Sequence, residues 1–509
     1  IKNFLFFLYN KVNCKPLRES GKVEKAMYVI GLDIGTTGTK ALLMDTGGTV
    51  LGKGYQGYAL LANGSHVEQD ANEWINASVA AIRAAISGNE HLKIEGISVS
   101  SQGASMAAVD RAGKPIGNAL TWMDTRSSEQ AAKLERALGN DYVYHMSGWR
   151  IFPTLDAAKI LHLRETGACP NAAKYLSTIE IVNEFLTGRA VIDPTNAAIR
   201  QLFDIQKEDW DERMLDTVGV TRDELPEIQR TASLVGGLTA EAAKLTGLPE
   251  GTPVYSGAHD QYCASIGAAA ITAGDMLLSA GTTWVVLGLA DKPVYSKSFI
   301  ASSIHPVDGL YGAMASLSGS GVSLEWYKSK FLPGVDYHSL DNEAEAREIG
   351  DLFFYPYPLG AAYPLWNSNA RAAFTGVTLE HDPYAFTRAI LEGVAFGVRR
   401  TLADFAENGC AVKSLKVIGG AAKSALWTSL ICDITNVPLE LMQESDACAL
   451  GAAVIAAVGA GAFAGYRAAT DAMVHRARIQ QPEPERAAYY AAKYGRFCSL
   501  WDHMSPYYR

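Results

Sequence analysis

A disulfide pattern, a long apolar run and an excess of positive charge are all missing from this chain. Each absence removes a class of protein. The seven cysteines are odd in number, scattered and never spaced Cys-x-x-Cys, so they read as reduced thiols and exclude a disulfide scaffold or a cysteine zinc site. The longest apolar run, 447–463, is mostly alanine and glycine, and side chains that small suit a tightly packed helix rather than a membrane span. A formal net charge of −9 leaves no footprint for nucleic acid. No disorder signal is present either, since 48% of the 509 residues are hydrophobic and 19% charged. The expectation is a cytoplasmic globular protein, long enough for two domains of over two hundred residues each.

Residues 1–26 fit poorly with the rest of the chain. An apolar segment, 1–10, precedes a basic one, 11–25, whereas a signal peptide puts its charges first and ends in a small-residue cleavage site. The segment is read as a leader outside the fold.

What the chain does have is a repeated turn. An apolar run from Tyr28 leads into Asp33-Ile34-Gly35-Thr36-Thr37-Gly38-Thr39-Lys40, and a second apolar run starts at Ala41. Two strands joined by such a turn make a hairpin whose glycines admit a bound group and whose N–H groups and hydroxyls form an anion nest. A carboxylate beside that nest suits Mg²⁺, which takes one or two carboxylates with phosphate oxygens and water. It is not a Walker A loop, because no Gly-Lys-Ser/Thr runs into a helix. The plain alternative is an ordinary hairpin. The same plan recurs at 277–287, where Gly281-Thr282-Thr283 falls on Gly35-Thr36-Thr37 and Ser279 falls where Asp33 stood. One copy carries the acid and the other does not. That is the pattern of a duplicated fold with one metal side.

Between and after the hairpins several strand ends turn polar. Asp70 caps a helix predicted through Ile86. A strand from Ile94 runs into Ser101-Gln102-Gly103-Ala104-Ser105, and a short strand over 119–122 ends in Trp122-Met123-Asp124-Thr125-Arg126. A mostly helical stretch, 127–250, comes next. Pro253 starts a strand that ends in Gly257-Ala258-His259-Asp260-Gln261, with a helix expected over 264–270. An acid at such a junction sits where α/β sheets bind ligands, and its plain alternative is a helix cap. Further on, Asp382-Pro383 caps a long helix whose Gly393 and Gly397 call for close packing on one face. Strand, glycine turn and helix start succeed one another around Gly419-Gly420-Ala421-Ala422-Lys423-Ser424.

Together these stretches resemble the FGGY carbohydrate kinases, ATP-dependent sugar kinases of the actin/Hsp70/hexokinase type, from Tyr28 to about Gly461. The resemblance implies an α/β fold of two ribonuclease H-like domains around a central cleft. The expected division is 27–268 for the sugar, metal and phosphate side, 269–485 for the nucleotide side, and 486–509 as a C-terminal tail. It further implies Asp260 as general base, Asp33 on Mg²⁺, and Thr37, Thr282 and Thr283 on phosphates. Gly419, Gly420 and Ser424 would hold the nucleoside, with Thr36, Lys40, Gly281 and Gly319 completing the ATP contacts. The partners are then a sugar and ATP, a homodimer being open.

The substrate side follows from the same resemblance. Gln102, Ser105, Trp122, Asp124, Asp260 and Gln261 are the expected sugar contacts, and Gln102 with the 122–126 loop is xylulokinase-like. Xylulokinases usually carry Gln-Met-His-Gly where this chain has Gln102-Gly103-Ala104-Ser105. Glycerol kinases carry Gln-Arg-Glu there, although Gln261 is glycerol-kinase-like. The floor of the pocket is therefore expected to be smaller and less polar, with room for a longer polyol. A pentulose such as D-xylulose is the expected substrate, with ribulose, erythritol, gluconate and glycerol as alternatives. A nucleotide switch of the same fold is the remote alternative, for which the polar loops 101–105 and 122–126 would have no use.

Overall fold

Each of the two glycine–threonine turns closes an antiparallel hairpin, and each hairpin opens a sheet built on one plan. The computed structural model describes residues 26–317 and 319–508, so the leader expected over 1–26 lies, Ala26 apart, outside the described residues. In the first half β1 (Tyr28–Ile34), β2 (Gly38–Asp45) and β3 (Val50–Gly57) form an antiparallel meander. The helix α1 (Ala71–Ile86) comes next, and the Asp70 carboxylate accepts from the Asn72 N–H at its start, as predicted. β4 (Ile94–Ser101) pairs parallel to β1. After a long insertion come β5 (Leu234–Gly237), an antiparallel edge, and β6 (Pro253–His259), parallel to β4. α2 (Asp260–Gly267) leaves β6 without a loop.

The second half repeats this. β7 (Asp275–Ala280), β8 (Trp284–Ala290), β9 (Ala301–Ile304) and β10 (Tyr311–Leu317) are antiparallel. The helices α3 (Ser320–Phe331) and α4 (Pro383–Glu407) are among the elements that lead to β11 (Ser414–Ile418), parallel to β7. Then come α5 (Ala425–Thr435), β12 (Leu439–Met442), α6 (Ala447–Gly459), β13 (Arg476–Gln480) and α7 (Pro484–Met504). The sheet orders are β5-β6-β4-β1-β2-β3 and β9-β10-β8-β7-β11-β12-β13. Stripped of edge strands, both read third, second, first, fourth, fifth, with three antiparallel strands and two parallel ones. This is the duplicated ribonuclease H-like α/β fold.

The counterpart helices α2 and α6 lie between the sheets and join the halves. A Cβ on Gly451 would stand 1.8 Å from the Cys263 carbonyl oxygen, and one on Gly267 would stand 2.0 Å from that of Ala447. A Cβ on Gly31 of β1 would stand 1.8 Å from the Ala449 oxygen. The alanine–glycine run thus packs backbone to backbone on the first sheet, although it comes after the fifth strand of the second. Leu277, Leu287 and Ile418 of the second sheet and Val29 and Leu42 of the first close the core around the two helices.

Several boundaries differ from the sequence expectation. The 119–122 strand is cut to Ala119–Leu120, because Asp124 pulls the chain into a turn. The 127–250 stretch interleaves its helices with short strands such as Lys174–Ser177, which joins a five-stranded sheet that includes Met106–Val109 and Ala119–Leu120. Residues 486–509, expected as a tail, supply most of α7, and Tyr490, Phe497 and Trp501 bury in the second core.

Candidate active site

Two carboxylates meet where the first sheet ends. Asp33, next to last in β1, accepts a 2.8 Å hydrogen bond from the Ser100 hydroxyl of β4. Burial, and next the charge of Asp260, push Asp33 up to about 7. Asp260 is the first residue of α2, a turn earlier than the predicted helix start. His259 stands at the cap position, and no side chain caps the helix. The plain alternative for Asp260, a helix cap, is therefore excluded. Its Oδ1 is buried with no hydrogen-bond partner and lies 3.3 Å from His259 Nε2.

Lys40 and Lys53 of the first half reach acids at the start of α6. Asp33 pairs with Lys40 across the first hairpin, and Lys40 Nζ lies 2.8 Å from Asp446, at the N-terminus of α6. Lys53 reaches Glu444 at 2.7 Å and Asp446 at 3.2 Å. Lys40, expected on ATP, is thus engaged in a clasp between the halves. Thr37 is exposed, and so are Gly281, Thr282 and Thr283 of the second hairpin. The Thr36 hydroxyl accepts from the Trp122 indole at 3.0 Å. The second hairpin is held from beneath: Trp284 donates to the Gly281 carbonyl at 3.1 Å, and the Val322 N–H of α3 donates to the Thr282 carbonyl at 3.0 Å. Gly319 stands just ahead of α3. A Cβ on Gly419 would meet the Ala280 backbone at 2.8 Å, so the Gly419–Gly420 turn lies against the same hairpin. Ser424 caps α5 by accepting from the Trp427 N–H at 2.9 Å.

On the sugar side the structure separates lining from support. Gln102 is buried. Its amide nitrogen donates to Gln69 at 2.8 Å, and its Oε1 has no partner. Gln261 Oε1 is likewise buried and unpaired. Both atoms are acceptors left without a donor. Asp124 and Ser105 do something else. Asp124 is fully buried, with its oxygens held by Arg126 and the Val67 N–H. Burial raises its pKa, but these bonds more than offset that and keep it below the usual carboxylate range. The Ser105 hydroxyl accepts from the Trp122 N–H at 3.2 Å. Both residues hold the loop rather than present polar atoms to a ligand. The expected room above Gly103 is also absent, because a Cβ there would stand 2.4 Å from His259 Cδ2.

Three supports are invisible in the sequence. Lys159 is fully buried and donates to the carbonyls of Ala104 at 2.6 Å and Thr121 at 2.7 Å, which ties the two sugar-side loops together. Burial lowers it to about 8. Arg200 pairs with Asp156 at 2.9 Å and Glu180 at 3.1 Å beneath the same loops. Arg150 packs its guanidinium over Phe152 of the first half and over Phe299 and Trp366 of the second, 4.8–5.1 Å from the ring centres. Phe152 packs against the cluster of Ala104, Leu155 and Ile199, of which Ile199 lies next to Gly103.

Residues 28–267 match the model of the N-terminal domain of the FGGY family of carbohydrate kinases, and residues 276–460 match that of its C-terminal domain. Over 484 residues the chain is 28% identical to a xylulose kinase of Bacillus subtilis, covering 94% of this chain and 97% of that one. It is also 28% identical over 462 residues to a gluconokinase of Bacillus subtilis, covering 87% and 90%. The structure superposes on that of a ligand-bound xylulose kinase from Lactobacillus acidophilus with a TM-score of 0.88 at 25% identity, covering 95% and 99%.

Proposed function

The chain belongs to the FGGY family of carbohydrate kinases, and on that premise we propose that it phosphorylates a pentulose such as D-xylulose from ATP, with Asp260 as general base. The observation that carries this reading is the state of Asp260: a carboxylate at the mouth of a strand–helix junction, beside Asp33, with no capping duty and Oδ1 unpaired. In the reaction the sugar hydroxyl gives its proton to Asp260, its oxygen bonds to the γ-phosphorus, and the bond from that phosphorus to ADP breaks. Gln102 and Gln261 offer acceptors to neighbouring hydroxyls. The exposed Thr37, Thr282 and Thr283 offer donors to phosphate oxygens. The two halves exclude the water that would otherwise take the phosphoryl group.

Mg²⁺ fits Asp33. Among the described residues no group of three or more His, Cys, Asp or Glu forms a metal cage, and one carboxylate beside a phosphate turn, with Asp260 near it, is the sparse donor set that Mg²⁺ uses. Asp33 would hold the ion, which when bound neutralises phosphate charge. Among the described residues no helix is long and apolar enough to cross a membrane, and the use of ATP fits a cytoplasmic enzyme.

A sugar acid is the second reading, favoured by Arg150. Its guanidinium donates no hydrogen bond among the described residues, and its Nε is buried and unpaired. The test is coupled ADP release over ketopentoses, polyols and aldonic acids. Stimulation by xylulose above the others supports the reading. Gluconate or glycerol ahead by tenfold in kcat/KM removes the pentulose and leaves the kinase, while no stimulation by any sugar removes both.

A further inference from the structure

We infer that His259 positions Asp260, and that residue 103 is glycine to admit it; this rests on the reading of Asp260 as the base. His259 ends β6 with 6% of its surface exposed, and its Nε2 lies 3.3 Å from an Asp260 oxygen that has no hydrogen-bond partner. The strand end that carries it is pinned. The His259 N–H donates to the Thr195 hydroxyl at 2.8 Å, and that hydroxyl is bonded in turn to Asp193. The ring cannot swing toward the loop while the loop holds its place.

The loop gives way instead. A Cβ on residue 103 would stand 2.4 Å from Cδ2 and 2.6 Å from Nε2 of His259, and 3.0 Å from Cδ1 of Ile199. Real Cβ atoms do not approach that closely, so any side chain at 103 would push away the imidazole edge that reaches Asp260. The space over Gly103 is filled from the base's own strand. With Nε2 protonated, the ring faces Oδ1 at 3.3 Å and would donate to it once the contact tightens, holding the carboxylate in one rotamer and leaving Oδ2 for the sugar hydroxyl. At 3.3 Å the contact is long, and catalytic hydrogen bonds of this kind tighten when the substrate is in place. A carboxylate free to rotate would spend much of its time misaimed, and small misplacements of catalytic groups are costly in rate.

Four variants of the full chain test this, each assayed for sugar-dependent ADP release with melting temperature as the folding control. His259→Ala should lower kcat by roughly 10–100-fold with KM for ATP unchanged. His259→Gln, whose amide nitrogen can stand near Nε2, should recover to within about fivefold of the parent. Gly103→Ala should lower kcat in the parent but by less than about twofold in the His259→Ala background, because the clash with the imidazole is then gone and only the flexible end of Ile199 has to give. Asp260→Asn separates the premises. If it retains near-normal kcat, the base reading fails. If it is crippled while His259→Ala stays within about twofold of the parent, the base stands and the positioning role is overturned. A Gln variant no better than Ala in a folded protein overturns it as well.

Discussion

Replacing Asp33 by Asn should stabilise this protein at alkaline pH while disabling it. Burial and the Asp260 charge raise Asp33 from 3.8 to about 7, against the opposing pulls of Ser100 and Lys40. In the unfolded chain the carboxyl ionises near 4. Between those values the folded state keeps a proton that the unfolded state has lost. The resulting stability is complete below about pH 4 and is lost as pH rises through about 7. Three pH units correspond to about 4 kcal/mol. Asp33 is partly open to solvent, and screening should leave about 1–2 kcal/mol of that. Asn keeps the shape, still accepts from Ser100, and never ionises.

The melting temperature of the variant minus that of the parent should therefore be small at pH 5, grow toward pH 8 and flatten above it. For domains of this size the gain is roughly 2–4 °C per kcal/mol. Scanning fluorimetry in matched buffers reads it directly. Glu180, also pushed to about 7 by burial, is present in both proteins and cancels. With Mg²⁺ and ATP added the order should reverse, because only the parent keeps the carboxylate proposed to hold the ion. A difference that is flat with pH, or a variant less stable than the parent at pH 8, would show that Asp33 is ionised and satisfied at neutral pH. The metal assignment would then lose its physical basis.

Asp260→Asn should cut kcat by roughly 10²–10⁴, the usual range for removing a general base, with ATP binding intact by calorimetry. Gly31→Ala should cost roughly 3 kcal/mol or more, or prevent soluble expression, since its Cβ would stand 1.8 Å from the Ala449 oxygen. Gly495→Ala, in α7 with nothing within 4 Å, should instead add about 0.5–1 kcal/mol in denaturant titration. Arg150→Gln should raise KM for aldonic acids about tenfold or more and leave KM for neutral pentuloses within about twofold. Equal losses on both would assign Arg150 to the seam between the halves, where it stacks on Phe299 and Trp366.

What can be read in the sequence is chemistry encoded by neighbours in the chain. An apolar run, an acid and a Gly-Thr-Thr turn state a hairpin within a dozen residues. Repetition of that unit at 277–287 states the duplication. What cannot be read depends on where distant backbones meet. The glycine and alanine content of 447–459 announces close packing without naming the partners, which are β1 and α2 of the other half. Lys159 looks like an ordinary helical lysine because its acceptors are carbonyls of loops at 104 and 121. Asp124 looks like a sugar ligand because nothing in the sequence shows that Arg126, two residues on, turns back to hold it.

The instructive error is Gly103. A glycine where relatives of this type carry a side chain reads as empty space, and empty space as room for a longer substrate. Interiors are close-packed, so a lost side chain is evidence about a neighbour before it is evidence about a ligand. The neighbour is in view: His259 stands beside the acid at the end of β6, and the strand that carries it is parallel to β4, pairing His259 with Ser101. Register alone therefore sets residue 259 two positions from residue 103 at the same end of the sheet. A ring on one strand and a glycine just past the end of the next make a complementary pair, and that pairing follows from sheet order once the duplicated topology is accepted.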